Sequence, residues 1–118
     1  MRYRFITRAA VAGVLALSVP AHSADGEAQA NTPAPAREQE LIRLVRHDCG
    51  SCHGMTLAGG LGPTLSKEAL AQRPQTYLQQ VILHGLPGTA MPPWRGLLSA
   101  QDAAWIAREL QRGFPDAH

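Results

Sequence analysis

Two cysteines three residues apart, followed at once by a histidine, make Cys49-Gly50-Ser51-Cys52-His53 the segment of this 118-residue chain best equipped for chemistry. Two thiols on one helical turn can add to the two vinyl groups of a haem, and the next residue then has its imidazole under the iron. A redox dithiol of thioredoxin type needs the two cysteines but has no use for the histidine, and it sits in a βαβ setting that this sequence lacks. A zinc site would use all three residues, yet no second cysteine pair and no His-x-His cluster completes a tetrahedral set. Chance is the remaining alternative. The residue types favour one covalently bound haem c, with Cys49 and Cys52 as the thioether positions and His53 as an axial iron ligand. Both cysteines are then used, so no disulfide is expected.

Haem of this kind is attached outside the bacterial cytoplasm, and the N-terminus meets that requirement. Arg2, Arg4 and Arg8 form a basic start, residues 9–19 form an apolar run, and Ala21-His22-Ser23 puts small residues where a signal peptidase reads. Cleavage is expected after about Ser23, leaving the protein in the periplasm. A stable membrane anchor is not expected, because the apolar run falls well short of the roughly 20 residues that a spanning helix needs. No consecutive arginine pair is present, which points to export as an unfolded chain and haem addition afterwards.

Processing also changes the charge balance. The full chain has eleven Lys and Arg against nine Asp and Glu, for a net charge of +2, and three of those arginines leave with the signal. The mature protein is therefore slightly acidic, and haem propionates would make it more so. With no Lys/Arg run, aromatic platform or nucleic-acid motif, the chain has nothing to offer nucleic acid.

The elements that must position the motif are helices. Residues 1–23 read as the signal and 24–37, rich in Ala, Pro and small polar residues, as a flexible leader. Residues 38–118 form the one domain, all-α, with no alternating apolar run for a strand. About 80 residues make a marginal core on their own, and a central haem would supply the missing apolar surface. A first helix is expected from about Glu38 to His47, with Leu41, Leu44 and Val45 on one face, leading directly into the motif. The glycines between Gly54 and Pro63 exclude regular structure there. A short helix should start at Ser66 as N-cap, and a longer one should run from Pro74 to His84 with Tyr77, Leu78, Val81 and Ile82 facing inwards. Ser99-Ala100-Gln101-Asp102 resembles a capping box with Asp in place of Glu, opening a last helix that buries Trp105, Ile106 and Leu110.

The second axial ligand decides what the iron can do. Met55, two residues after His53, cannot reach the opposite face of the porphyrin. Met91 can, and Pro92 and Pro93 stiffen the backbone just after it. His84 is the rival, although a histidine at a helix C-terminus more often complements the helix dipole. His47 is too local to cross the ring, and His118 is expected in solvent.

In their order along the chain, Cys49-Gly50-Ser51-Cys52-His53, Gly62-Pro63, the helix from Tyr77-Leu78 to Gly85, Met91-Pro92-Pro93-Trp94 and the Trp105 helix resemble a small class I monohaem cytochrome c. More narrowly, Asp48 to Leu57, Gly59 to Pro63, His84 to Thr89 and Met91 to Trp94 resemble the short cytochromes c encoded with the cytochrome cd-type nitrite reductase of denitrifying bacteria. The resemblance implies that the first and last helices cross, bringing Leu41, Leu44 and Val45 to Trp105, Ile106 and Leu110. It also implies that Pro63 offers its carbonyl to the free nitrogen of His53. The chain between Pro63 and Pro74 is shorter than in larger relatives, which exposes one haem edge.

A His53 and Met91 pair leaves iron with six ligands and no place for substrate, and the thioether favours the ferrous state. The expected function is thus a periplasmic monomeric electron carrier with no catalytic residue. The narrower resemblance implies that it donates in denitrification to redox protein partners, either the cytochrome cd-type nitrite reductase or the assembly of its specialised haem. Met55, Ala58, Gly59, Gly60, Pro92 and Pro93 are the candidate rim of the exposed edge. The alternative is a small haem enzyme or ligand sensor with an open sixth position, for which only His84 could serve as a distal acid or base.

Overall fold

The computed structural model describes residues 32–115, so the signal peptide, residues 24–31 of the leader and His118 lie outside the described residues. Five α-helices, with no strand among the described residues, make up the domain: α1 Pro35–Leu44, α2 Gly50–His53, α3 Lys67–Leu70, α4 Gln75–His84 and α5 Ala100–Arg112. A π-helical turn, Val45–Cys49, joins α1 to α2 without a break, so one rod runs from Pro35 to His53. Helix α1 starts three residues ahead of Glu38, because Pro35 occupies a first-turn position where its missing N–H costs nothing.

The rod and α5 share the core. Leu41 and Val45 from the rod, Leu70 from α3, Leu57 and Leu98 from the connections, and Trp105, Ile106 and Leu110 from α5 form one buried cluster. Leu44 packs against it half-buried. Burying a side chain of this size contributes roughly 1.5–3 kcal/mol, and α5, with its single apolar stripe, has the sharpest division between a buried and a solvated face. Beyond α5 the chain is tied back to the rod. The Arg46 Nη2 donates to the carbonyls of Phe114 (3.3 Å) and Pro115 (2.6 Å), and its guanidinium lies 5.5 Å over the Phe114 ring. Phe114 in turn meets Trp105 edge-on, with ring centroids 6.1 Å apart.

Both expected caps are present. Ser66 accepts from the Ala69 N–H at 3.3 Å. Ser99 accepts from the Asp102 N–H at 3.0 Å, while the Asp102 carboxylate accepts from the Ser99 N–H at 3.0 Å, so Asp closes the box as Glu would. Asp102 does more than cap. Its two oxygens receive the Nε (3.3 Å) and Nη2 (2.9 Å) of Arg37, a fork from the start of α1 that also reaches the Leu97 carbonyl. The Arg37 hydrogen bond holds the Asp102 carboxyl below the usual carboxylate range. Asp102→Asn should destabilise the protein by about 1–3 kcal/mol near pH 7 through loss of these charge-assisted bonds. A carboxyl depressed by folding stabilises above its unfolded value, near 4, and that contribution is lost as pH falls through the folded value. Urea midpoints of the two proteins should therefore converge on acidification below about pH 4, and a gap unchanged down to pH 2 would contradict this assignment.

Helix α4 turns Leu78 and Ile82 to the core as expected, and adds a polar contact with α5. Gln75 and Gln79 donate their amides to the carbonyls of Ala104 (3.3 Å) and Ala100 (2.8 Å) of α5. Gln75 and Gln79, four residues apart, thus face α5, while Leu78 and Ile82 pack against the core cluster and Leu83 is buried. Leu78, Val81 and Ile82 are half-buried. Tyr77 is 43% exposed, against the expectation that it faces inwards. Its ring lies under the Arg73 guanidinium at 5.9 Å instead.

Candidate haem site

The motif stands at the end of the rod, where the π turn closes: Gly50 N–H bonds to the Val45 carbonyl five residues back and to that of His47. Cys49 is half-buried and Cys52 exposed, and neither is in a disulfide. Ser51 Oγ donates to the Asp48 carbonyl at 2.6 Å, three residues back on the rod.

Helix α2 has only four residues, so its carbonyls need partners from elsewhere. The following loop supplies them. Gly59 N–H donates to the His53 carbonyl at 2.7 Å and Gly62 N–H to that of Cys52 at 2.8 Å, while Gly60 N–H closes onto the Gly62 carbonyl at 3.0 Å. The chain turns into this loop at Leu57, which takes φ +62 although it is not glycine and is buried. Its carbonyl is held by Leu65 N–H (2.9 Å) and Thr64 Oγ1 (3.2 Å).

This arrangement sets the histidine. His53 Nδ1 lies 2.7 Å from the Pro63 carbonyl oxygen. A carbonyl can only accept, so Nδ1 carries a proton, and in the neutral ring the lone pair is then on Nε2, the tautomer in which an imidazole binds a metal. Gly62 lies flat against the ring: a Cβ there would stand 2.8 Å from both Cε1 and Nδ1. A glycine at this place lets the loop approach the imidazole directly.

Met91 stands on a separate element, the loop after α4, and is half-buried. Its carbonyl accepts from Leu86 N–H at 3.2 Å and its own N–H donates to Thr89 Oγ1 at 3.3 Å. Trp94 N–H and Arg95 N–H return to the carbonyls of Ile82 (3.0 Å) and Leu83 (3.2 Å) at the end of α4. His84 is exposed in the last turn of α4, where a positive charge complements the helix dipole, and His47 is exposed on the rod. Of the candidate rim, Met55, Ala58, Gly60, Pro92 and Pro93 are exposed and Gly59 is half-buried. Leu61, which composition alone did not mark, is 94% exposed on the same loop.

The competing readings of the motif fare worse. Among the described residues no group of three His, Cys, Asp or Glu side chains gathers as a metal cluster, so zinc lacks a ligand set. Burial first, then the charge of Asp48, pushes the Cys49 thiol up to about 11. A redox dithiol requires the reverse, a stabilised thiolate. Two unpaired thiols on one turn, with an adjacent histidine presented through Nε2, fit a haem.

Comparison with known proteins agrees. Residues 36–108 match the family described as Cytochrome C oxidase, cbb3-type, subunit III. The chain is 56% identical over 85 residues to Cytochrome c55X of Paracoccus denitrificans (strain Pd 1222), covering 72% of this chain and 82% of that one. Among solved structures, a c-type cytochrome titled NirC superposes with a TM-score of 0.67 at 50% identity, covering 68% of this chain and 94% of NirC. A further match is to Dihydro-heme d1 dehydrogenase of Pseudomonas aeruginosa (strain PAO1), 44% identical over 82 residues, which is 70% of this chain but 17% of that protein.

Proposed function

Because this chain belongs to the cytochrome c family and carries one covalently bound haem c, we propose that it is a periplasmic electron carrier of denitrification, serving the cytochrome cd-type nitrite reductase or the assembly of its specialised haem. The fold is the small class I cytochrome c fold, and the activity is electron transfer rather than enzymatic turnover. The bound haem supplies a reversible one-electron change at iron. Everything else falls to the protein.

Cys49 and Cys52 would hold the haem through thioethers, and His53 and Met91 would take the two axial positions. Pro63, by accepting from Nδ1, keeps the His53 ring from turning and adds basicity to Nε2, which tunes the iron. The soft thioether of Met91 would favour the ferrous state and raise the reduction potential. The apolar and small residues around Met55, Leu61 and Pro92 would rim the exposed edge through which the electron passes, and a small, weak contact there suits rapid turnover. Export would follow the N-terminal apolar run, and no helix among the described residues is long and apolar enough to cross a membrane.

The observation that carries the carrier reading is His53 fixed by Pro63 in its metal-binding form, with Met91 on a loop whose backbone is tied on both sides. The kinship with a segment of dihydro-haem d1 dehydrogenase supports a partner in haem d1 metabolism. Two measurements test the whole. The ferrous protein should ignore carbon monoxide; binding by the wild type would mean an open iron and defeat the carrier reading. Stopped-flow mixing of the reduced protein with oxidised cytochrome cd-type nitrite reductase should give fast, saturable oxidation if it is the donor. Slow transfer there, with rapid reduction by dihydro-haem d1 dehydrogenase, would assign it to haem assembly.

A further inference from the structure

We propose that Thr89 is a positioning residue for Met91, its hydroxyl locking the backbone that presents the thioether; this rests on Met91 as the axial ligand proposed above. The loop from Leu86 to Met91 is closed by four hydrogen bonds, and the Thr89 hydroxyl takes part in two of them. It donates to the Leu86 carbonyl at 2.6 Å and accepts from Met91 N–H at 3.3 Å. Thr89 N–H donates to the same Leu86 carbonyl at 3.1 Å, and Leu86 N–H to the Met91 carbonyl at 3.2 Å. A hydroxyl can act as donor and acceptor at once, and few other side chains of this size can do so.

The chain on either side of the loop is already anchored. Gly85 N–H bonds to Val81 before it, and Trp94 and Arg95 N–H bond to the end of α4 after it. Pro92 and Pro93 fix φ directly behind Met91. Within this frame the peptides of residues 88–91 are the part that could still swing, since Gly88 has a positive φ and open space around its α-carbon. The Thr89 bridge removes that freedom. Thr89 itself is exposed, with no packing role that would explain its place.

The haem-loaded full chain tests this by competition. Imidazole added to the ferric protein must displace Met91 to bind, and displacement is followed by loss of the weak far-red band of methionine-bound haem iron. Thr89→Val keeps the β-branch and removes both hydrogen bonds. Its imidazole Kd should fall about tenfold or more, the size expected for two neutral hydrogen bonds. Thr89→Ser should stay within about threefold of wild type, and Thr89→Ala should behave as Val does and serves if Val fails to load haem. A purely structural role would shift the urea midpoint and leave the imidazole Kd where it was, which would overturn the proposal. Met91→Ala separates the two levels. If it retains the far-red band, the axial assignment fails and Thr89 with it. If it loses the band while Thr89→Val binds imidazole as wild type does, only the Thr89 inference falls.

Discussion

Gly85→Ala should be among the most damaging single-carbon additions in this protein, lowering stability by about 2–6 kcal/mol. Two independent costs meet at this buried residue. The backbone holds φ +71 and ψ −174 at the end of α4, a region essentially closed to residues with a Cβ, at about 1–3 kcal/mol. The added carbon would also lie 2.6 Å from the Met91 carbonyl oxygen and 2.9 Å from the Pro92 carbonyl carbon. These are backbone atoms in a loop tied to the helix, so relief requires the loop to retreat, a further 1–3 kcal/mol or so. Against a total of roughly 5–15 kcal/mol for a small domain, that is a large share. The loop that must move is the one carrying Met91, so the urea midpoint and the far-red band should fail together. A variant with wild-type midpoint would show that the approach of Gly85 to Met91 is looser than the structure has it.

Gly62→Ala acts on the other side of the proposed iron. Its Cβ would press on Cε1 and Nδ1 of His53 at 2.8 Å. Something must yield, and the loop is the less free of the two, being fastened to the Cys52 carbonyl through Gly62 N–H and to Gly60 through the Gly62 carbonyl. The ring therefore moves and the 2.7 Å bond to Pro63 lengthens. Overpacking and the weakened bond together cost about 1–4 kcal/mol. A histidine that loses its acceptor is a poorer donor to ferric iron, so the reduction potential should rise. Redox titration of the haem-loaded variant checks this directly, and a potential equal to wild type would show that the ring had not been displaced.

Much of the frame can be read from the residues in order. The Ser99 and Asp102 box and the burial of Trp105, Ile106 and Leu110 follow from local capping chemistry and a 3.6-residue period, whereas the cluster they form with Leu41 and Val45 is what the family resemblance implies. The closeness of Pro63 to His53 came from family resemblance, since spacing alone does not bring a carbonyl back over ten residues. On α4, Leu78 and Ile82 meet the core as their period implies and Tyr77 does not, for a physical reason. Hydrophobic periodicity favours Tyr77, whereas the helix is seated by two glutamine amides on α5 carbonyls, and a glutamine counts as polar in any such pattern. Thr89 escaped notice because its partners are backbone atoms, although a threonine two residues before a methionine in a glycine turn is a usable sign of side-chain to backbone closure.

The π turn from Val45 to Cys49 was equally silent, because Val-Arg-His-Asp-Cys would read as ordinary helix. Its consequence lies in spacing rather than identity. Leu41 and Val45 point into the core while Cys49, Cys52 and His53 would have to present themselves to the proposed haem, and the extra residue in the wide turn offers a way to reconcile the two demands within a single rod. Removing one residue would turn everything downstream by about 100° and draw it back by about 1.5 Å. His47 and Asp48, both exposed, are thus free in what they are but not in how many they are: between the core and the haem, the chain counts residues as a gear counts teeth.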